Sequence, residues 1–180
     1  MSERLKSGTM ALDASTRNLG FAVDVIGRTM PMYGLYTLPG ISDRGLLYQR
    51  VVDTMEELVM KYNPERFIFA TAFYDKVQTA ARALNGVQAM IEFVAANCNI
   101  LVIECIENIA RKRVLGHVNF GKRDERTGKL IPGSGRKGAK NAVMAWADRR
   151  GYNPTSDDVA DALLLLEYDR LVRTTNFASS

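Results

Sequence analysis

The sequence has few cysteines and no long apolar run. Only two of its 180 residues are cysteine, Cys98 and Cys105, and they lie in or beside an apolar segment without the spacing of a zinc site. We therefore expect reduced thiols and a cytoplasmic protein. No segment approaches the roughly eighteen consecutive apolar residues of a membrane span. The first residues lack the apolar core and cleavage site of a signal peptide, so we expect no membrane partner.

Acidic residues are scarce between positions 111 and 150. This segment of forty residues holds twelve of the 24 lysines and arginines but only three acids. Such a concentration of positive charge raises the odds of a phosphate-rich partner, although a merely solvated basic face gives the same composition.

Hydrophobic periodicity predicts one α/β domain over residues 1–180. Three short strand-like runs follow one another closely and indicate an antiparallel meander; strands and helices then alternate, which is typical of a mixed sheet covered by helices. Residues 116–136 are rich in glycine and charge without periodicity, and we interpret them as a mobile basic loop. The predicted strands cover 9–13, 18–25, 31–38, 66–70 and 99–105, and the predicted helices cover 43–62, 76–96, 107–115, 137–150 and 156–172.

Three aspartates are candidates for holding a metal ion. Asp13 follows an apolar run and precedes a turn, which places it at the mouth of a strand, where it could equally cap the turn. Asp158 and Asp161 share one face of the last predicted helix because they are three residues apart. Asp158 also suits a helix start, whereas Asp161 lies against an apolar stripe, where an unpaired carboxylate is costly.

Two of these segments resemble motifs of the RuvC family of Holliday-junction resolvases, within the ribonuclease H-like superfamily. LDASTRNLGFAV at 12–23 is similar to the family's first-strand motif, and DDVADALLLL at 157–166 is similar to its last-helix motif. The resemblance follows the whole chain in element order but is motif-specific only in short segments. It implies a ribonuclease H-like mixed five-stranded sheet flanked by helices, with Asp13, Asp158 and Asp161 as metal ligands.

The resemblance also implies a glutamate at the end of the strand 66–70, where this chain has Ala70. Two explanations compete: a natural protein that has lost activity, or a deliberate exchange of glutamate for alanine, which the otherwise intact motifs favour. In either case alanine offers no oxygen to a metal ion, so we expect impaired catalysis.

The activity implied by the resemblance is two-metal hydrolysis of DNA. Two Mg²⁺ ions per site, replaceable by Mn²⁺, would activate water and stabilise the leaving oxygen. The substrate would be a four-way DNA junction in recombination and repair. Its two-fold symmetry and paired cuts suit a homodimer, whose contact would use part of the helix 76–96. The cell would be bacterial or phage-infected.

Basic and aromatic residues would contact the DNA. The resemblance implies a basic residue after the fifth strand, which is Arg111 or Lys112, and a lysine that opens the next helix, Lys140, which is otherwise an ordinary surface lysine. Phe73 would stack near the exchange point unless it packs in the core. The full set of proposed DNA contacts is Phe73, Tyr74, Lys76, Arg111, Lys112, Arg113, Arg136 and Lys137, with Lys140 in the catalytic centre. His117, the single histidine, keeps no assigned role.

Two other functions remain open at the level of sequence. One is a natural pseudo-nuclease that binds branched DNA without cutting it. The other is a different ribonuclease H-like nuclease, such as one acting on RNA–DNA hybrids. A sugar-kinase-type ATPase is disfavoured because the chain is too short and lacks a glycine-rich phosphate pair.

Overall fold

A computed structural model describes residues 5–38, 43–71 and 78–177 of the chain. Within these residues a single sheet has the strand order β3-β2-β1-β4-β5. The first three strands pair antiparallel and form the expected meander, whereas β1, β4 and β5 run parallel. The expected mixed five-stranded sheet is therefore confirmed. The strands are β1 (Ser7–Ala14), β2 (Asn18–Val25), β3 (Met32–Thr37), β4 (Pro64–Ala70) and β5 (Leu101–Cys105).

Helices cover both faces of this sheet, because its central strands are apolar on both sides. One core contains Met10, Leu12 and Phe67 from the sheet and packs against α1 and α2. The other contains Ala11 and Ile68 and packs against the remaining helices. The helices are α1 (Arg44–Tyr62), α2 (Gln78–Asn97), α3 (Glu107–Leu115), α4 (Ser134–Arg149) and α5 (Asp157–Phe177).

Local signals explain where α1 begins and ends. The side chain of Asp43 accepts a hydrogen bond from the backbone N–H of Gly45 at 2.7 Å, which caps the first turn. Asn63 adopts a left-handed conformation with φ 43°, and Pro64 follows as the first residue of β4. The stop predicted at Asn63 and Pro64 is thus confirmed.

Helix α5 is apolar around most of its circumference. Residues 159–167 are all buried, because the helix lies between the sheet on one side and α3 and α4 on the other. This packing explains the run of four leucines, which a helix with a single buried face would not need.

The segment 116–136 contains more regular structure than its composition predicts. Helix α4 begins at Ser134 rather than at 137, so the end predicted for the loop was wrong. Within the loop, Arg123 pairs with Leu130 across a short hairpin, whose turn the side chain of Asp124 closes by accepting from Thr127 N–H at 2.7 Å. Most of its side chains are exposed.

No helix in the described residues combines the length and apolar character needed to cross a lipid bilayer.

Candidate active site

The sheet brings its carboxyl-terminal strand ends together at one edge. Asp13 is the penultimate residue of β1, and Ala70 ends the neighbouring parallel strand β4. Leu12 pairs with Phe69, so positions 13 and 70 lie side by side. Position 70 therefore has the place in the fold that the expected glutamate would occupy, although its methyl group supplies no oxygen.

Helix α5 reaches this edge because β2 carries a glycine there. Gly20 pairs with Asp13, and the Cα atoms of such antiparallel partners are about 4.5–5.5 Å apart. A Cβ atom at position 20 would lie 2.3 Å from the carbonyl oxygen of Asp158, an impossible contact. The absent side chain thus lets the first turn of α5 approach β1, and Asp13 and Asp158 become neighbours.

Each aspartate of α5 has a partner from another element. Asn18, at the start of β2, donates its side-chain N–H to Asp158 Oδ2 at 2.8 Å. The Nη2 atom of Arg111, in α3, lies 3.3 Å from Asp161 Oδ1. Arg111 also pairs with Glu107 one turn earlier in α3. A single guanidinium group therefore bridges two carboxylates.

Asp13, Glu107, Arg111, Asp158 and Asp161 line one cleft of about 940 Å³, which we name the acid cleft. Its carboxylates come from β1, α3 and α5, and the rest of its lining comes mainly from α2, the hairpin segment and the first half of α4. The lining residues with ionisable side chains are Asp13, Glu107, Arg111, Arg123, Arg136, Lys140, Asp158 and Asp161.

Negative charge accumulates in the acid cleft. The pKa of Asp13 is raised well above its usual value, first by burial and then by the charges of Asp161, Asp158 and Glu107, while Lys140 opposes the shift. Burial likewise raises the pKa of Asp161 to about 6, against the opposing effect of Arg111. Burial and neighbouring carboxylates therefore disfavour the charged forms of Asp13 and Asp161, although four basic side chains line the same cleft.

The carboxylates do not form a closed metal cage. Among the described residues, no three histidine, cysteine, aspartate or glutamate side chains are close enough together to hold a metal ion. Asp158 and Asp161 are instead bonded to Asn18 and Arg111. The chemistry of the donor set nevertheless suits Mg²⁺ or Mn²⁺, since these ions prefer carboxylate oxygens.

The basic residues predicted from sequence separate into two groups. Arg111, Lys140 and Arg136 line the acid cleft, and Lys140 also pairs with Asp157. Three others are exposed and outside the cleft lining: Lys112, Arg113 and Lys137, of which Arg113 donates to Thr175 Oγ1 at 3.0 Å. Of the alternatives Arg111 and Lys112, the acid cleft contains the first.

The predicted aromatic contacts Phe73 and Tyr74, together with Lys76, lie outside the described residues. His117 is exposed; its ring lies 4.6 Å from that of Phe120, and its Nδ1 atom is 3.1 Å from the carbonyl oxygen of Leu115.

Two cleft residues were missed by sequence reasoning. Glu107 begins α3 directly after the third parallel strand, and this position was itself a signal, because acids at the carboxyl ends of parallel strands share an edge. Gln88, from α2, donates to the carbonyl oxygen of Ala70 at 3.0 Å and gave no such signal.

Comparison with known proteins identifies the architecture. The chain superimposes on the RuvC structure of Thermus thermophilus with a TM-score of 0.66 and 14% identity, over 93% of this chain and 96% of the other. The chain has the RuvC fold. The same fold is matched in T. thermophilus RuvC in complex with a Holliday junction substrate, with a TM-score of 0.62 and 14% identity, over 87% and 89% of the two chains.

A third structure with the RuvC fold is the yeast mitochondrial Holliday junction resolvase Ydc2. Its TM-score is 0.58 at 9% identity, over 99% of this chain and 86% of the other. These identities are low, so the three structures establish the fold alone.

In sequence, the chain is similar to a crossover junction endodeoxyribonuclease RuvC of Chloroherpeton thalassium. The identity is 26% over 119 residues. The match covers 63% of this chain and spans 63% of the length of the curated relative. No protein-family model matches the chain.

Proposed function

We propose that this chain is a DNA endonuclease that resolves four-way junctions, with its catalysis weakened at Ala70. One observation carries the proposal: in a RuvC fold, Asp13 from β1 and Asp158 and Asp161 from α5 line one cleft together with four basic residues. The similarity to a crossover junction endodeoxyribonuclease supports the same substrate.

Asp13, Asp158 and Asp161 are the residues that would hold divalent cations. Bound Mg²⁺, or Mn²⁺ in its place, would supply an activated water and would stabilise the leaving oxygen, with two ions in the intact site. A cation would also offset the repulsion that raises the pKa of Asp13.

The basic residues of the cleft would bind and orient the DNA backbone. Arg111 and Lys140 lie beside the aspartates, where they would neutralise the phosphate at the scissile bond. Arg136, in the first turn of α4, would contact a neighbouring phosphate. Lys112, Arg113 and Lys137 lie outside the cleft, where they would contact the junction arms.

The substrate class is tested by binding in Ca²⁺. We expect the chain to shift a four-way junction in a gel at lower protein concentration than a linear duplex or an RNA–DNA hybrid of equal length. Equal affinity for the junction and the duplex would contradict junction selectivity, and a preference for the hybrid would favour a hybrid nuclease instead.

Catalysis is tested by the Ala70→Glu variant with a four-way junction and Mg²⁺. We expect a gain in cleavage of at least about tenfold, because a metal ligand returns to the edge of the sheet. A second candidate function, a natural pseudo-nuclease, is favoured by Ala70 itself. Selective junction binding without any gain in cleavage would support this second function and contradict the first.

A homodimer would place two acid clefts on the two strands to be cut. Phe93 of α2 is 52% exposed although it is large and apolar, which supports a contact on this helix. Light scattering should give the mass of a dimer, and Phe93→Glu should shift it toward the monomer. A monomeric mass for the parent chain bound to a junction would contradict this assembly.

A further inference from the structure

Glu107 lines the same cleft as Asp13. It begins α3 two residues after Cys105, the last residue of β5, and Cys105 pairs with Ala70 at the edge of the sheet. The side chain of Glu107 is 38% exposed and lines the acid cleft together with the three aspartates. Thus Glu107 is an acid one strand away from the position that lacks one.

A shared arginine brings the Glu107 carboxylate close to Asp161. Arg111 contacts Glu107 and Asp161 with the same Nη2 atom. A positive group therefore already lies between these two carboxylates, as a cation would.

We propose that Glu107 is a metal ligand of the acid cleft and supplies from α3 the carboxylate that position 70 does not provide. The inference rests on the proposed function, since it assumes that the aspartates bind divalent cations. An ordinary role for Glu107 would be to stabilise the first turn of α3 and to pair with Arg111, four residues later. That role does not require a position in the cleft beside Asp13.

The first test measures metal binding rather than cleavage. Mn²⁺ is titrated into the full chain, and free Mn²⁺ is followed by electron paramagnetic resonance. Glu107→Gln should weaken Mn²⁺ binding at least about tenfold, the usual scale for damage to a metal site. Glu56→Gln is the matched control, because it removes the same charge from an exposed position on α1, which packs against the other face of the sheet.

A second pair of variants separates a ligand from a partner of Arg111. Loss of Glu107 could free Arg111 to pair more strongly with Asp161 and thereby weaken metal binding indirectly. In an Arg111→Met background, Glu107→Gln should still weaken Mn²⁺ binding if Glu107 is a ligand. If the effect disappears in that background, Glu107 acts through Arg111 and the proposal is wrong. Thermal unfolding without metal shows whether each variant is folded.

The same variants distinguish this inference from the proposed function. Selective junction binding with unchanged Mn²⁺ affinity in Glu107→Gln would overturn the role of Glu107 and leave the resolvase proposal standing. No Mn²⁺ binding by the parent chain would also overturn it. A smaller effect of Glu107→Gln after Ala70→Glu would support it, because the two carboxylates would then share one task.

Discussion

Helix α5 carries buried acids near its start and near its middle, and their surroundings differ. Near its start, Asp161 is 8% exposed and shares one arginine with Glu107. Further along, Asp169 is 4% exposed, accepts from Thr9 Oγ1 at 2.6 Å and lies 2.8 Å from Arg173 Nε. The first acid has one arginine, which it shares with another carboxylate of the cleft. The second has a hydroxyl donor as well as an arginine, and that arginine also lies near Asp24.

The distal acids belong to a set that we name the arginine network. Glu167 pairs with Arg150 at 3.1 Å and with Arg170 at 3.2 Å, and Arg170 also binds Asp24 of β2. The hydrogen bond to Asp24 raises the pKa of Arg170, despite the opposing effect of burial. The comparison teaches that burial of an acid does not by itself indicate a functional site, because the buried acids of the network are held by ion pairs within the fold. The network consists of Asp24, Arg150, Glu167, Asp169, Arg170 and Arg173.

The largest effect is expected when an acid of the cleft is removed from a chain whose cleavage activity has been restored. This substitution tests whether the cleft acids differ in role from those of the arginine network. In the Ala70→Glu background, Asp13→Asn should reduce junction cleavage by at least about a hundredfold, because metal ions contribute several kcal/mol to such reactions. Single-turnover cleavage in Mg²⁺ measures the effect. The same change should leave the melting temperature in a chelator equal or higher; a large drop would mean that Asp13 is structural.

A smaller effect is expected on stability in the arginine network. Asp169→Asn should lower the free energy of unfolding by about 2 kcal/mol, because a buried charge-assisted contact with Arg173 is lost. Urea denaturation in a chelator measures the change. Asp161→Asn is the matched substitution in the cleft. Equal losses of unfolding free energy for the two variants would remove the distinction between the acid cleft and the arginine network.

The pH dependence of stability sharpens the same distinction. The pKa of Asp161 is about 6 in the folded chain, against an ordinary 3.8. The folded state therefore keeps a proton that the unfolded state releases, and stability falls as pH rises between these two values. Relative to the parent in a chelator, Asp161→Asn should gain about 2 kcal/mol between about pH 4 and about pH 7, since one pKa unit corresponds to about 1.4 kcal/mol. A difference that does not change with pH would contradict the raised pKa.

The smallest expected effect concerns the basic side chains. Arg136→Gln should weaken junction binding modestly and reduce the slope of log affinity against log salt by about 0.9, the value for one phosphate contact. Arg150→Gln removes the same charge from the arginine network and should leave that slope unchanged. Fluorescence anisotropy over a range of salt concentrations measures both, and equal slopes for the two variants would argue against a contact at Arg136.

Much of the fold follows from short-range patterns. The apolar runs of the meander and the stop at Asn63 are local, and sequence reasoning found them. The start of α4 was missed because Gly133 and Gly135 disfavour a helix. Gly138, inside the helix, is explained by a tertiary contact: a Cβ atom there would lie 2.4 Å from the carbonyl oxygen of Phe120.

The candidate site was predictable only where a motif marked it. Asp13, Asp158 and Asp161 were found through short segments, and the structure brings them to one cleft. The arginine network was not found, because its partners are as far apart in sequence as Asp24 and Arg170, and no local pattern links them. The roles of the metal ligands and DNA contacts remain predictions.

The contact between Gly20 and the first turn of α5 depends on the single hydrogen atom that glycine has as its side chain. Any bulkier residue at that point would wedge the helix outward and separate its aspartates from Asp13, without altering a single oxygen donor. A sequence comparison that considered only the acidic residues would still predict a metal site in such a protein. In this chain, the smallest residue of β2 therefore matters to the proposed metal site as much as the carboxylates do.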